Sequence, residues 1–306
     1  MGPAPGERSA CSAAARPPGT LIEVGEAFAR WAQRAARFVD VQDQPANAVP
    51  GSVSLPELFD VDVATRTPGA EVCDRYLREL VARAGLGGDV VVYEHAMHTG
   101  AGRSFRAHMI LRQLGVASRV LHGGLAAWSA AGHPIGAPAP GAAAATGTPA
   151  TGLVWTTWPA APGGVVALDR VRDASAHGDA QIVDVRGRDE WFGRTAGPSP
   201  VANVSRTGRI PGAIWMEWTR FLDMDVAQPR LKSPQSVRAM CEAENLDLDR
   251  PIYLYCYKGA RASLAKVALD LAGAEAASVY LGSWLEWASD PSSPVEVSAE
   301  PNEVLT

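Results

Sequence analysis

The sequence predicts an α/β protein built from two similar units, each a parallel sheet flanked by helices. Three observations carry that reading. Short apolar strands alternate with amphipathic helices, the pattern of a parallel sheet covered on both faces. The order of elements in the first half recurs in the second. The chain has 306 residues, about twice the ~150 of a typical domain.

Each half begins with a β-branched strand ending in Val-Asp-Val, Phe38–Val41 and then Ile182–Val185. An apolar-Pro-Gly turn follows, Val49-Pro50-Gly51 and then Ile210-Pro211-Gly212. Amphipathic helices are predicted over 72–84 and 234–244. Apolar strands ending in Tyr come next, Val90–Tyr93 and Ile252–Tyr255. A loop and a second helix then close at Gly115 and Gly273, residues suited to the left-handed position after a helix. Gly123–Trp128 and Gly282–Trp287 finish the two halves. Between them, residues 136–152 (GAPAPGAAAATGTPATG) carry no charge and no apolar period, so a flexible linker is expected. The predicted organisation is a loose tail over 1–19, one unit over 20–135, the linker, and a second unit over 153–306.

Composition narrows the function. The chain carries 28 Lys+Arg against 33 Asp+Glu, a formal charge of −5. That balance argues against a nucleic-acid binder, which needs a basic face. With 47% hydrophobic and 20% charged residues, the chain can bury a sizeable core. No apolar run approaches the ~18 residues of a membrane span. The N-terminus has no apolar signal core, so neither export nor a membrane role is expected. Four cysteines, Cys11, Cys73, Cys241 and Cys256, are too few for a disulfide scaffold in a chain this long. A cytoplasmic protein with one reactive thiol is the expectation.

The reactive thiol is placed by the sheet. Ligands of an open parallel sheet bind at the carboxyl ends of its strands. The strand Ile252–Tyr255 runs directly into Cys256, then Tyr257-Lys258-Gly259-Ala260-Arg261, and a helix is predicted from near Ala262. Backbone N–H groups, the helix dipole, Lys258 and Arg261 would all favour a thiolate there. A thiolate in that place is a nucleophile for covalent catalysis. Gly259 lets the loop curl its amides inward as an anion nest. A free cysteine is often only a small buried hydrophobe, but strand end, basic loop and following helix together favour a nucleophile. Cys256 and Arg261 enclose four residues. Tyrosine-phosphatase-type loops enclose one more, enough to ring a phosphate, whereas the tighter loop suits a single extra sulfur atom on the cysteine.

The motif CYKGARAS (Cys256–Ser263) resembles the active-site loop of the rhodanese family, the thiosulfate and 3-mercaptopyruvate sulfurtransferases. Ile182–Arg186, Gly208–Ala213 and Tyr280–Trp287 match further family segments in family order. The resemblance covers residues 165–295 firmly and 20–135 loosely. It implies two rhodanese-like domains, with the active cysteine in the second. In the first half Glu94 stands at the cysteine's position and cannot carry sulfur. Eight residues separate Glu94 from Arg103, so the anion cradle there is expected to be lost. The resemblance also implies an inactive first domain that helps wall the site.

The implied reaction is a double displacement. Cys256 takes the outer sulfur of thiosulfate or a similar donor, and a thiophilic acceptor (cyanide, a thiol or a protein cysteine) removes it. No cofactor and no metal are called for. Lys258 favours an anionic inorganic donor over mercaptopyruvate, whose family users carry Gly and Ser in this loop. Two departures stand out: Glu190, where many two-domain members carry a substrate-binding Arg, and Arg209, which replaces a His. They put the natural donor in question and leave open a protein-to-protein sulfur relay or regulatory persulfide carrier. A phosphatase or arsenate-reductase relative is the remaining alternative.

Arg186 could bind substrate or pair with Asp184, Asp189 or Glu190; the structural pairing is preferred. Cys241 and Cys73 fall among apolar helix positions and are expected in the core; Cys11 is expected exposed and incidental. His95 and His98 share the loop of Glu94, but without Cys ligands or a helical His pair they do not read as a zinc site. They read as polar wall residues between the halves. The tryptophans, including Trp191, Trp215, Trp218, Trp284 and Trp287, are expected in core and domain interface.

Overall fold

The structure is a computed structural model that describes residues 19–43, 45–60, 70–138, 164–198 and 204–297. The expected tail, Cys11 and most of the expected linker lie outside them. In the first half the order is β1 (Leu21–Ile22), α1 (Val24–Ala32), β2 (Arg37–Asp40), β3 (Val53–Ser54), α2 (Glu57–Asp60) and α3 (Ala70–Arg83). There follow β4 (Val90–Tyr93), α4 (Met97–Gly100), α5 (Arg103–Gln113), β5 (Ser118–Leu121) and α6 (Gly124–Ala130). The second half begins α7 (Leu168–His177), β6 (Gln181–Asp184), α8 (Arg188–Trp191), β7 (Ile214–Trp215), a 3-10 turn (Trp218–Phe221), β8 (Leu222–Asp223) and β9 (Arg230–Leu231). It ends α9 (Pro234–Ala243), β10 (Ile252–Tyr255), α10 (Ala260–Leu271), β11 (Ala277–Val279) and α11 (Ser283–Ser289).

Both large sheets are parallel throughout. Strand order is β1-β5-β4-β2-β3 in the first and β11-β10-β6-β7 in the second. A parallel bridge from Val165 to Val279 extends the second sheet where β1 extends the first. The central strands are apolar because both of their faces are covered: all four residues of β4 are buried. The halves share finer detail too. Tyr93 and Tyr255, each ending a central strand, receive the N–H of Val49 (3.0 Å) and Ile210 (3.1 Å) on their hydroxyls. Trp128 and Trp287 donate from the indole to Pro134 (2.7 Å) and Pro294 (2.8 Å) carbonyls. Such agreement in side-chain roles is what a duplicated unit leaves behind.

Among the described residues, only the second half carries an antiparallel ribbon, β8–β9. It reaches the first half, where Arg230 pairs with Glu23 (3.2 Å) and the Leu231 N–H meets His122 Nε2 (3.2 Å). Helices α5 and α10 pack against each other. Every residue from Ser104 to Leu111 is buried, as is every residue from Ala260 to Leu269. The polar side chains within those runs, among them Arg106, His108, Arg261 and Lys266, are buried along with the apolar ones. The largest apolar cluster accordingly runs through both halves, joining Val39, Val92 and Phe105 to Val183, Leu254 and Leu264.

Candidate active site

Cys256 lies between the end of β10 and the start of α10, with 1% of its surface exposed. Its Sγ accepts the Gly259 N–H at 3.1 Å. Gly259 is the N-cap of α10 and sits at φ +87°. A Cβ there would also come within 2.9 Å of the Leu281 carbonyl oxygen, so conformation and space both require glycine. The helix begins at Ala260, two residues before the sequence reading. Ala260 and Arg261 are therefore helical and only Tyr257, Lys258 and Gly259 form the turn. The sulfur consequently sits at the N-terminus of a twelve-residue helix, where unsatisfied N–H groups and the helix dipole favour negative charge.

Ser283 holds the other side of the loop. Its Oγ accepts the Cys256 N–H (3.2 Å) and donates to the Tyr280 carbonyl (2.7 Å). Ser283 sits at φ +53°, an uncommon conformation for a residue with a Cβ. Gly124 occupies the matching place of the first half at φ +66°. The equivalence is fixed by paired backbone bonds: Leu125 N–H to Glu94 O (2.9 Å) and Trp284 N–H to Cys256 O (3.0 Å). Sequence reasoning missed Ser283. The aligned pairs Gly123-Gly124 and Gly282-Ser283 held the signal, a serine where the backbone asks for glycine.

Under the loop lies a buried polar frame. Arg186 Nε donates to both Asp184 oxygens (3.0 Å each), and Nη2 donates to Asp184 Oδ2 (2.6 Å) and the Gly208 carbonyl (2.7 Å). The Tyr255 hydroxyl donates to Asp184 Oδ2 (2.6 Å). The Arg186 guanidinium stacks over the Trp284 ring at 4.5 Å. Burial works against its charge, but Asp184 keeps its pKa above the ordinary arginine value. Burial, and then Asp184, push the Tyr255 phenol well up. Arg186 thus takes the structural pairing preferred above, with Nη1 left without a partner among the described residues.

Glu190 meets Arg261 in a two-pronged ion pair, 2.6 Å from Nη1 to Oε2 and 2.9 Å from Nη2 to Oε1. It also accepts the Gly187 N–H (3.1 Å). Burial opposes the charge on Arg261, while Glu190 and the nearby Cys256 sulfur hold its pKa above the ordinary value. The carboxylate noted as a departure therefore has a partner in the first turn of α10: both terminal Arg261 nitrogens face it. Arg209 pairs with Glu296 and lies over the Trp191 ring at 4.2 Å. Trp191 in turn stacks on Trp215 at 6.0 Å. Tyr257 packs its ring onto Gly197, where a Cβ would come within 2.5 Å. The Lys258 ammonium stands 5.5 Å from the centre of the Phe59 ring in α2.

The loop of the first half corrects one expectation. Its cradle is kept and filled from within. Glu94 is buried, and its carboxylate accepts the Arg103 N–H (2.9 Å) and the Ser104 hydroxyl (2.9 Å) at the N-terminus of α5. Gly102, at φ +82°, caps α5 as Gly259 caps α10. The extra residues form α4 and leave that cap in place. Burial raises the Glu94 carboxyl to about 7. The two helix starts meet, since a Cβ on Gly102 would come within 2.5 Å of the Ala260 carbonyl oxygen.

Other candidates fall as follows. Cys241 is buried in the core, and burial pushes its thiol up to about 11. Cys73 lies in α3, but its side chain is outside the described residues. Trp284 and Trp287 are fully buried. His95 is exposed and lines a cavity of about 340 Å³ that Gln228 of the second half also lines. Among the described residues no cluster of three His, Cys, Asp or Glu side chains could hold a metal, and no helix is long and apolar enough to cross a membrane.

Comparison with known proteins agrees with this geometry. A model of the rhodanese-like domain matches residues 167–290. The chain is 30% identical over 258 residues to the putative thiosulfate sulfurtransferase SseB of Mycobacterium tuberculosis, covering 81% of this chain and 82% of that one. It is 30% identical over 232 residues to the thiosulfate sulfurtransferase YnjE of Escherichia coli, covering 74% of this chain but spanning only about half (51%) of YnjE. The crystal structure of SseA from Escherichia coli, a 3-mercaptopyruvate sulfotransferase, superposes with a TM-score of 0.64 at 21% identity, over 87% of this chain and 99% of SseA. Two parallel sheets of matching order, a cysteine at the strand-to-helix turn of the second, and a relative of like length agree on one assignment: the chain belongs to the rhodanese family of sulfurtransferases.

Proposed function

We propose that this protein transfers sulfane sulfur from thiosulfate, or a similar anionic donor, to a small thiophilic acceptor through a persulfide on Cys256. The observation that carries the reading is the Gly259 N–H aimed at the Cys256 sulfur from the N-terminus of α10. The thiolate attacks the outer sulfur of the donor, and a new S–S bond forms. The donor's own S–S bond breaks, and sulfite leaves with the electron pair. The terminal sulfur of the persulfide rests in the amide nest of Lys258, Gly259 and Ala260. Cyanide or a thiol then attacks that sulfur, and the thiolate is restored with no outside oxidant or reductant.

In this reading Cys256 is the nucleophile, Tyr257 to Arg261 form the cradle, and Asp184 and Arg186 brace it from below. Glu190 and Arg209 had favoured a slow relay of sulfur between proteins. Each is tied into an ion pair, so both departures have structural employment. A cysteine with 1% exposure also suits a small acceptor better than a protein surface. The test is to mix the protein with thiosulfate and cyanide and to follow thiocyanate. The expected result is turnover that Cys256→Ser abolishes; unchanged turnover in that variant would refute the proposal.

A further inference from the structure

Beneath the cradle lie two buried ion pairs. Asp184 pairs with Arg186 and Glu190 pairs with Arg261, and all four residues are buried. Each cation has one carboxylate beside it, so the four together carry no net charge. The second pair is the one that concerns the sulfur. Arg261 stands in the first turn of α10, and the Cys256 sulfur is near enough to help hold its charge. Glu190 takes both terminal nitrogens of that guanidinium, at 2.6 and 2.9 Å. The Gly187 N–H fixes the carboxylate in turn, at 3.1 Å.

We infer that Glu190 is a specificity-determining residue that acts through Arg261: by cancelling the guanidinium charge beneath the sulfur, it curbs the preference of the site for dianionic over monoanionic donors. The inference rests on the sulfur-transfer reading, which places the donor against Cys256. The physical argument has three parts. Charges shielded from water are felt over longer distances than exposed ones. A two-pronged pair is compact, so at the range of a bound donor its two fields largely cancel. Removing the carboxylate charge restores one unit of positive field, and Coulomb energy is proportional to the charge of the ligand. A dianion therefore gains about twice what a monoanion gains. With an effective permittivity of about 20 and a range of about 10 Å, that difference is roughly tenfold in affinity. Glu190 thus bears on which donor is taken as well as on the stability of the frame.

The test uses the full chain on a Cys256→Ser background, so that donors bind without reacting. Thiosulfate, a dianion, and methanethiosulfonate, the monoanion with a methyl group in place of one oxygen, are titrated by calorimetry at pH 8. Glu190→Gln should tighten thiosulfate about tenfold more than methanethiosulfonate. Arg261→Gln should shift the selectivity the opposite way, and it decides the question where Glu190→Gln does not fold. The double variant, Glu190→Gln with Arg261→Gln, is again neutral and should return to the selectivity of the parent. With Cys256 present, the ratio of kcat/KM for the two donors should move by the same factor in Glu190→Gln. Circular dichroism confirms that each variant compared is folded. Unaltered selectivity in the single variants, equal tightening of both anions, or a double variant that keeps the selectivity of either single one overturns the inference. Turnover whose donor selectivity ignores Glu190 overturns it alone. Selectivity that follows Glu190, in a protein whose Cys256 gains no sulfur, refutes the transfer reaction and supports the role of Glu190. Thiosulfate that binds no variant overturns both.

Discussion

Glu190 and Arg261 are nearly buried and face each other across 71 positions of sequence. Removing one partner of such a pair leaves a charge without compensation in a poor solvent for it. Glu190→Gln should therefore cost about 3–5 kcal/mol of stability, measured by urea denaturation at neutral pH. A cost below ~1 kcal/mol would mean that the pair is wet and loosely held. Glu94 gives a pH signature. Its carboxyl is held at about 7 by burial, whereas in the unfolded chain it titrates near the ordinary value. Between those two values the native state keeps a proton that the unfolded state has released. Stability must then fall as pH rises through that window. Glu94→Gln should remove roughly 2 kcal/mol of the loss between about pH 5 and pH 8, read from unfolding free energies at the two ends. In the proposed reaction Lys258 contributes charge: Lys258→Ser should shift preference away from thiosulfate and toward mercaptopyruvate in paired steady-state assays.

At the scale of elements, the proposed reaction depends on the turn between β10 and α10, and one glycine decides the turn. Gly259→Ala would place a Cβ at φ +87° against Leu281. The turn must open, at a cost of about 1–3 kcal/mol, and the N–H now aimed at the sulfur turns away. Persulfide loading by thiosulfate should slow at least tenfold, about 1.4 kcal/mol in the barrier, followed by rapid quench and mass analysis. Strands Val90–Tyr93 and Ile252–Tyr255 were legible to the residue, because four apolar residues between polar flanks signal a buried strand locally. The turn that sets Cys256 beside a helix start was also legible, because Cys256, Lys258 and Gly259 lie within one short motif, although the helix begins two residues before the reading placed it. The filled cradle of the first half was not. Spacing showed the longer loop but gave no sign that the Glu94 side chain folds back onto the start of α5. Ser283 was likewise hidden, as was the pairing of Glu190 with Arg261, since each is a tertiary contact.

For the whole molecule, the repeat in sequence became a repeat in structure, down to the tyrosine at each strand end and the tryptophan in each last helix. The sequence did not reveal how closely the copies are joined. Helices α5 and α10 are buried against each other, and one apolar cluster draws on both sheets. The chain should accordingly unfold in urea as one cooperative transition, with tryptophan fluorescence and far-UV circular dichroism coincident. Two separated transitions would mean that the halves are independent. The ribbon β8–β9 and the contact of Lys258 with Phe59 point the same way, since each ties one half to the other. In the proposed reaction the chemistry falls on a single atom, the Cys256 sulfur. The most direct test of the account is therefore mass spectrometry of the intact protein and its peptides after brief exposure to thiosulfate. One added sulfur on the peptide that holds Cys256, removed by cyanide and absent in Cys256→Ser, is the predicted result. No added sulfur, or sulfur carried on Cys241 instead, would contradict it.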